Sequence, residues 1–372
     1  MVVVNDIALT MSGRLRRTPF SKGVLAAGVK GYTVYNHTLL ATVFHSLQED
    51  YRHLKSFVQI WDVSCQRQVA VQGTDATHLV QLLTPRDLSR IAPKQCCYIP
   101  VVDEQGKMLN DPVALKHSDD HWWLSLADSD LLFWVKGLAV GRNIQARVYE
   151  PDIAPLAVQG PKADELMEHV FGEKIHAVKF FRFETFSFLD IPIVISRSGY
   201  SKQGGFEVFV PGIDIAMPLW NALLEAGKSL NVRVGCPNLI ERIEGGLLSY
   251  GNDIGNENSP LESGLGRYCN LSSKVPCMGH DALIEEALCG PSRQIRPLAI
   301  DGPVAPVCDR PWSIKFQGKY AGKVTSATWS PDFDTNVAIA MVEMEFAEVD
   351  TRLEVEVPDG VRPAAVRSSF WL

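Results

Sequence analysis

The chain runs to 372 residues, 46% of them hydrophobic and 21% charged, with a formal charge of −7. Such a composition is that of a globular protein of two or three domains, and its acidic balance argues against a nucleic-acid partner, which asks for a basic face. No apolar run approaches the roughly 20 residues that a membrane helix needs.

At the N-terminus Arg14, Arg16 and Arg17 follow the short Val2–Val4 run. An export signal has the reverse order, so the cytoplasm is the expected compartment. Gln68–Gly73 alternates like a strand, and Ala76, Leu79, Val80 and Leu83 recur at helical spacing before Pro85. Tyr98–Asp103 and Pro112–Lys116 read as strands flanking a turn at Gly106. Trp122–Ala127 is a further strand, followed by a helix over Asp130–Ala139 closed by Gly141. Leu156–Gln159 is a strand, and Pro161 opens a helix over Ala163–Val170 that Gly172 ends. Ile193–Ser198 and Phe206–Val210 form a strand pair about a glycine-rich turn. Pro237–Tyr250 reads as a helix with Leu239, Ile240, Ile243 and Leu247 on one face. Beyond about residue 290 the helical pattern disappears, and short strands such as Ser313–Phe316, Val337–Phe346 and Leu353–Val357 predict a small all-β domain. Cys289–Ser292 is the expected linker. Strands and helices without regular alternation favour an α+β class.

The eight cysteines show no C-x-x-C spacing and are expected as free thiols. The nine histidines form no ligand set, so no metal site is expected. Neither a dinucleotide loop nor a phosphate loop is present, and the expected ligand is a small molecule. The densest glycine turn is Ser198–Val208. There the period of two puts Phe206 and Val208 on one side, Glu207 and Phe209 on the other. A carboxylate in an apolar strand either faces solvent, the commoner case, or binds something specific. Asp111, just ahead of Pro112, is more often a turn residue. The Glu241–Glu244 stretch is, taken alone, a surface ion pair of little energy.

Their order along the chain changes those odds. Trp61-Asp62-Val63-Ser64, Tyr98, Asn110-Asp111-Pro112, Gly199-Tyr200 through Glu207, Ile240–Glu244 to Tyr250-Gly251, and Gly322–Ser326 with Ser330-Pro331 follow one another. From about residue 40 onward they resemble the glycine cleavage T-protein superfamily, whose motifs run F-D-V-S, tyrosine, D-D-L, G-Y-T-G-E-D-G-Y-E, L-R-L-E to L-Y-G, and G-x-V-T-S. Cys65-Gln66-Arg67-Gln68 stands where T-proteins have H-M-G. Together with Thr84–Leu88, Ser125–Asp130, Ser201–Gly205 and Gly235–Arg242, this looks like the dimethylsulfoniopropionate (DMSP) demethylases.

The resemblance implies a folate-binding core of two interwoven α/β subdomains over residues 1–289 and a C-terminal β-barrel over residues 290–372. It implies transfer of a sulfonium methyl from DMSP to tetrahydrofolate, without a metal and without an enzyme nucleophile. Tyr98, Tyr200, Glu207 and Arg242 would hold the folate, and Asp111 would stand near the reacting amine as the candidate catalytic residue. For the substrate, Trp61, Trp134 and Phe209 are aromatic candidates for the cation, and Arg67, Lys202 and Ser125 are polar ones. Alternatives are a demethylase for another methylated cation or methoxy acid, and a T-protein-type aminomethyltransferase. A homodimer is compatible with every one of these.

Overall fold

The computed structural model describes residues 12–372, so the Val2–Val4 run lies outside the described residues. Its centre is two sheets between which the chain passes twice. Strand Gln59–Asp62 belongs to a six-stranded sheet; the chain then builds a five-stranded sheet and returns to the first at Ile153–Gln159. The two subdomains are interwoven for this reason.

The five-stranded sheet is antiparallel throughout, in the order Arg147–Tyr149, Gln68–Gln72, His121–Ser125, Val113–Ser118, Gln95–Tyr98. The six-stranded sheet runs Phe183–Phe188, Ile191–Ser196, Gly205–Pro211, Ile153–Gln159, Gln59–Asp62, Arg233–Gly235, with only the last pair parallel. Their neighbouring edges are stitched: the Cys96 N–H donates to Phe181 O at 2.9 Å and the Phe183 N–H to Lys94 O at 3.1 Å.

Side-chain alternation sorts each sheet into two faces. Val69, Val71, Cys97, Ala114 and Leu124 pack outward against helices Ala76–Leu83 and Leu131–Gly141. Ile60, Val158, Phe206 and Val208 pack outward against helices Ala163–Phe171 and Ala216–Ala226. Between the sheets Ala70, Cys96, Leu115 and Trp123 of one meet Phe183 and Phe209 of the other. One pleat away the inward face also carries polar side chains, Gln68, Tyr98 and Ser125 on one sheet and Ser196 and Glu207 on the other.

The C-terminal part closes a six-stranded barrel from Arg293–Ile300, Thr335–Glu343, Lys319–Ser330, Trp312–Phe316, Arg352–Val357 and Gly360–Val366. It is the small all-β unit expected, and the whole is α+β.

Three elements differ from the sequence reading. The helix expected over Pro237–Tyr250 spans only Leu239–Glu244. Gly246, at φ +63°, ends it: the Gly246 N–H donates to Ile243 O and the Leu247 N–H to Arg242 O, the paired bonds of a Schellman cap. Leu247 therefore does not extend an apolar helix face. The strand expected over Tyr98–Asp103 is broken at Pro100, leaving Gln95–Tyr98 and Val101–Val102 in different sheets. The strand expected to reach Phe346 stops at Glu343 and turns into a 3₁₀ helix, Met344–Phe346.

Candidate functional site

Tyr98, Val113, Ser125 and Gln68 lie opposite one another across the five-stranded sheet. By alternation they share the inward face with Cys96 and Trp123. Glu207 stands opposite both Ser196 and Ala157, and Ala157 opposite Trp61, on the inward face of the other sheet. The Glu207 charge also raises the pKa of Cys96, behind the larger effect of burial, which places the carboxylate close to the facing sheet.

Asp111 follows strand Met108–Asn110. The Tyr98 hydroxyl donates to its Oδ2 at 2.6 Å, while Oδ1 is buried without a hydrogen-bond partner among the described residues. Burial pushes its carboxyl up to about 7, against the opposing effect of the Tyr98 hydrogen bond. Burial also raises the hydroxyls of Tyr35, Tyr98, Tyr200 and Tyr250, and in each case the Asp111 charge adds to the rise. Four tyrosine hydroxyls thus feel one half-satisfied carboxylate, and Tyr98 bonds to it directly. Two are tied down by their hydroxyls: Tyr200 donates to Leu247 O and Leu248 O at 2.9 and 2.8 Å, and Tyr250 to Met108 O at 3.0 Å. The early helix end at Glu244 is what frees those two leucine carbonyls.

Glu207 is buried. Its Oε2 accepts from Ser198 Oγ, which also contacts Ser196 Oγ at 2.6 Å, and burial raises its carboxyl. The turn ahead of it needs glycine. A side chain at Gly199, φ +158°, would strike the Gln159 amide at 2.1 Å, and one at Gly205, φ +143°, would strike Val158 O at 2.1 Å. Gln159 anchors this turn by donating to Ser198 O and accepting from Ser201 Oγ at 2.7 Å.

The GCVT N-terminal domain model matches residues 22–273 and the glycine cleavage T-protein C-terminal barrel domain model matches residues 293–371. The chain belongs to the glycine cleavage T-protein family. The dimethylsulfoniopropionate demethylase of Ruegeria pomeroyi is 56% identical over 97% of this chain and 98% of that one. An aminomethyltransferase of Lysinibacillus sphaericus is 29% identical over 93% of this chain and 95% of its own length. In fold, the glycine cleavage system aminomethyltransferase T of Bartonella henselae superposes with a TM-score of 0.86 at 23% identity, covering 96% of this chain and 98% of that one.

Within this T-protein fold the motif residues separate into two groups. Tyr98 and Asp111 are joined by a hydrogen bond and Tyr200 feels the same carboxylate, while Glu207 stands on the inward face of the other sheet; Ser125 shares the Tyr98 row, its Oγ accepting from Gln68 at 2.9 Å. Arg242 stands beside Tyr200, but its guanidinium is committed. It donates to Asp253 at 2.8 Å, Ser326 at 2.7 Å and Leu247 O at 3.3 Å, pinning the barrel to the core.

The substrate candidates fare differently. Arg67 is spent on Glu150, held through two nitrogens, and on Asp130. Trp61 is on the Glu207 face but fully buried among Leu54, Val63 and Ala157, its indole N–H on Gln59. Phe209 fills the apolar seam against Trp123, with centroids 6.0 Å apart. Trp134 packs on the outer face of the five-stranded sheet. The exposed Lys202 is fixed by its backbone N–H, which donates to Glu241, and its stem covers Gly245. None of these five hydrogen-bonds to Asp111 or Glu207 through its side chain. Tyr250 lies in the Tyr250-Gly251 motif, and Tyr35 lies outside every motif, although the alternation of Gly31–Tyr35 ahead of Asn36-His37 is a hairpin signal.

Proposed function

We propose that the chain is a tetrahydrofolate-dependent demethylase of dimethylsulfoniopropionate, yielding 5-methyltetrahydrofolate and 3-(methylthio)propionate. The observation that carries this reading is the buried Asp111 oxygen that has no partner among the described residues, in a carboxylate that Tyr98 bonds and whose charge three further tyrosines feel. A negative charge and aromatic faces are what a sulfonium cation asks for. The likeness to the Ruegeria pomeroyi demethylase over nearly the full length supports the same substrate.

The folate fits the remaining half of the site. Glu207 keeps an oxygen without a hydrogen-bond partner among the described residues, and a pterin offers amino and ring N–H donors that would pair with it. When bound, tetrahydrofolate supplies the amine nitrogen that accepts the methyl group. The C–S bond would break with its electron pair on sulfur, so the leaving group is a neutral thioether and needs no acid, and the amine, having formed the new N–C bond with its lone pair, would release its proton to solvent after the transfer. The residues therefore orient and exclude water, which is where the rate gain lies. Asp111 faces the cation, Tyr98 fixes the Asp111 carboxylate, and Glu207 fixes the acceptor. No helix among the described residues is long and apolar enough to cross a membrane. We place the reaction in the cytoplasm, where the eight thiols, none in a disulfide, stay reduced.

The reading sets a pH dependence. Below about 7 the Asp111 carboxyl is neutral and no longer attracts the cation, so kcat/KM for the sulfonium should fall as pH drops through that value. Asp111→Asn should flatten this limb and lower turnover only modestly, because general acid–base catalysis, worth about 10²–10⁴-fold, is not used. Stability has the opposite sign. A raised carboxyl favours the fold below its unfolded value, and that contribution is lost as pH rises through about 7. At pH 8 the Asn variant should therefore melt higher than the wild type. A loss of turnover beyond about 10³-fold with a new pH dependence would point to an amine substrate instead.

A further inference from the structure

Residues 31–43 form a two-stranded hairpin, Gly31–Tyr35 against Thr38–Val43, that joins neither of the two large sheets. An isolated hairpin is marginal in water, so something must hold this one down. Its loop is Asn36-His37, with φ +49° and +60°, the two left-handed residues of a tight hairpin turn. Asn36 is buried and acts as a staple: its side-chain amide donates to Cys65 O at 3.0 Å and Ala127 O at 2.9 Å, and its backbone N–H to Asp128 at 2.7 Å. Ala127 O also accepts from Asn110 at 3.0 Å, and Asn110 immediately precedes Asp111. One carbonyl thus ties the hairpin tip to the carboxylate of the site. The residue ahead of the staple is Tyr35, half-buried, whose hydroxyl has no hydrogen-bond partner among the described residues. Tyr98, Tyr200 and Tyr250 differ, each being tethered through its hydroxyl.

We propose that Tyr35 is a specificity-determining residue of the methyl-donor pocket, presenting its ring to the cationic centre beside Asp111, and that Asn36 is its positioning residue. The assignment rests on the sulfonium reading given above. A ring suits this place better than a hydroxyl that would bind the donor's carboxylate, because Asp128 accepts from the neighbouring Asn36 N–H and Asp111 lies beside the Asn110 that shares the Ala127 carbonyl, and both carboxylates would repel a further anion. The contribution is one of discrimination: a cation is favoured over a neutral molecule of equal shape.

The test compares dimethylsulfoniopropionate with 4-methylpentanoate, which replaces the sulfonium by a neutral carbon, by calorimetry on the full chain. Folate affinity, measured alongside, serves as the reference for an intact site. The wild type should prefer the cation. Tyr35→Phe should keep that preference within about twofold, and Tyr35→Leu should reduce it about tenfold, the size of a desolvated cation–π contact. Asn36→Gly keeps the left-handed backbone while deleting the staple, and should reduce the preference as Tyr35→Leu does, with folate affinity unchanged. A Tyr35→Leu protein with the wild-type preference overturns the assignment, as does a Tyr35→Phe protein as impaired as Tyr35→Leu. A wild type without any preference would overturn the sulfonium reading itself, a result visible before any variant is made.

Discussion

Asp253→Asn is expected to cost the protein roughly 3–5 kcal/mol of stability, the price of leaving a buried charge without its partner. Asp253 is 2% exposed and gathers the Arg242 guanidinium, Thr325 Oγ1, Ser326 Oγ and the Ser249 N–H. The asparagine oxygen can still accept from the two hydroxyls, but Arg242 is then a buried cation facing a neutral amide. Thermal unfolding should show a large fall in Tm for Asp253→Asn and for Arg242→Met. The double variant should lose less than the two single losses added together, since neither charge is then stranded. Additive losses would mean that the two groups do not stabilise each other. The same variants separate the architectural role of Arg242 from a direct one. In the folded fraction, folate affinity should fall less for Arg242→Met than for Glu207→Gln.

Glu207→Gln is the second large effect, and it should appear in binding instead of stability. The substitution keeps the shape but removes a charge and an acceptor, worth roughly 1.5–3 kcal/mol for a hydrogen bond to a charged group. Folate affinity should fall about tenfold or more. Melting temperature without ligand should hold or rise, because burial already disfavours the Glu207 carboxylate and only Ser198 offsets it. Calorimetry of folate binding decides it, and an unchanged affinity would remove Glu207 from the site.

The parts of the site readable from sequence are those set by short-range periodicity. The period of two around Glu207 and Phe209 correctly put both on one face, because the pleat allows nothing else once Phe206 and Val208 face the helices. It could not tell that Phe209 would meet Trp123 while Glu207, one pleat away, would take Ser198 as its partner. That depends on a second sheet whose facing strands lie some 80–140 residues earlier in the chain.

Arg242 shows the same limit: Asp253 is 11 residues away but Ser326 is 84, so its commitment to the barrel is a product of tertiary packing. Trp61 and Trp134 are aromatic candidates on composition, yet burial of a large ring in a core is the stronger tendency: Trp61 follows it fully, and Trp134 is half-buried against the outer cluster. The early end of the helix at Glu244 was accessible in principle, since Gly245-Gly246 is a C-cap signal. The apolar spacing of Leu247 masked it.

Incubating the purified protein with tetrahydrofolate and dimethylsulfoniopropionate, and separating the products by chromatography, decides whether the chain is a demethylase. 5-Methyltetrahydrofolate and 3-(methylthio)propionate should form one for one, without added metal or flavin. Product formed in the absence of folate, or turnover seen only with a lipoylated protein and glycine-derived substrate, would contradict that reading.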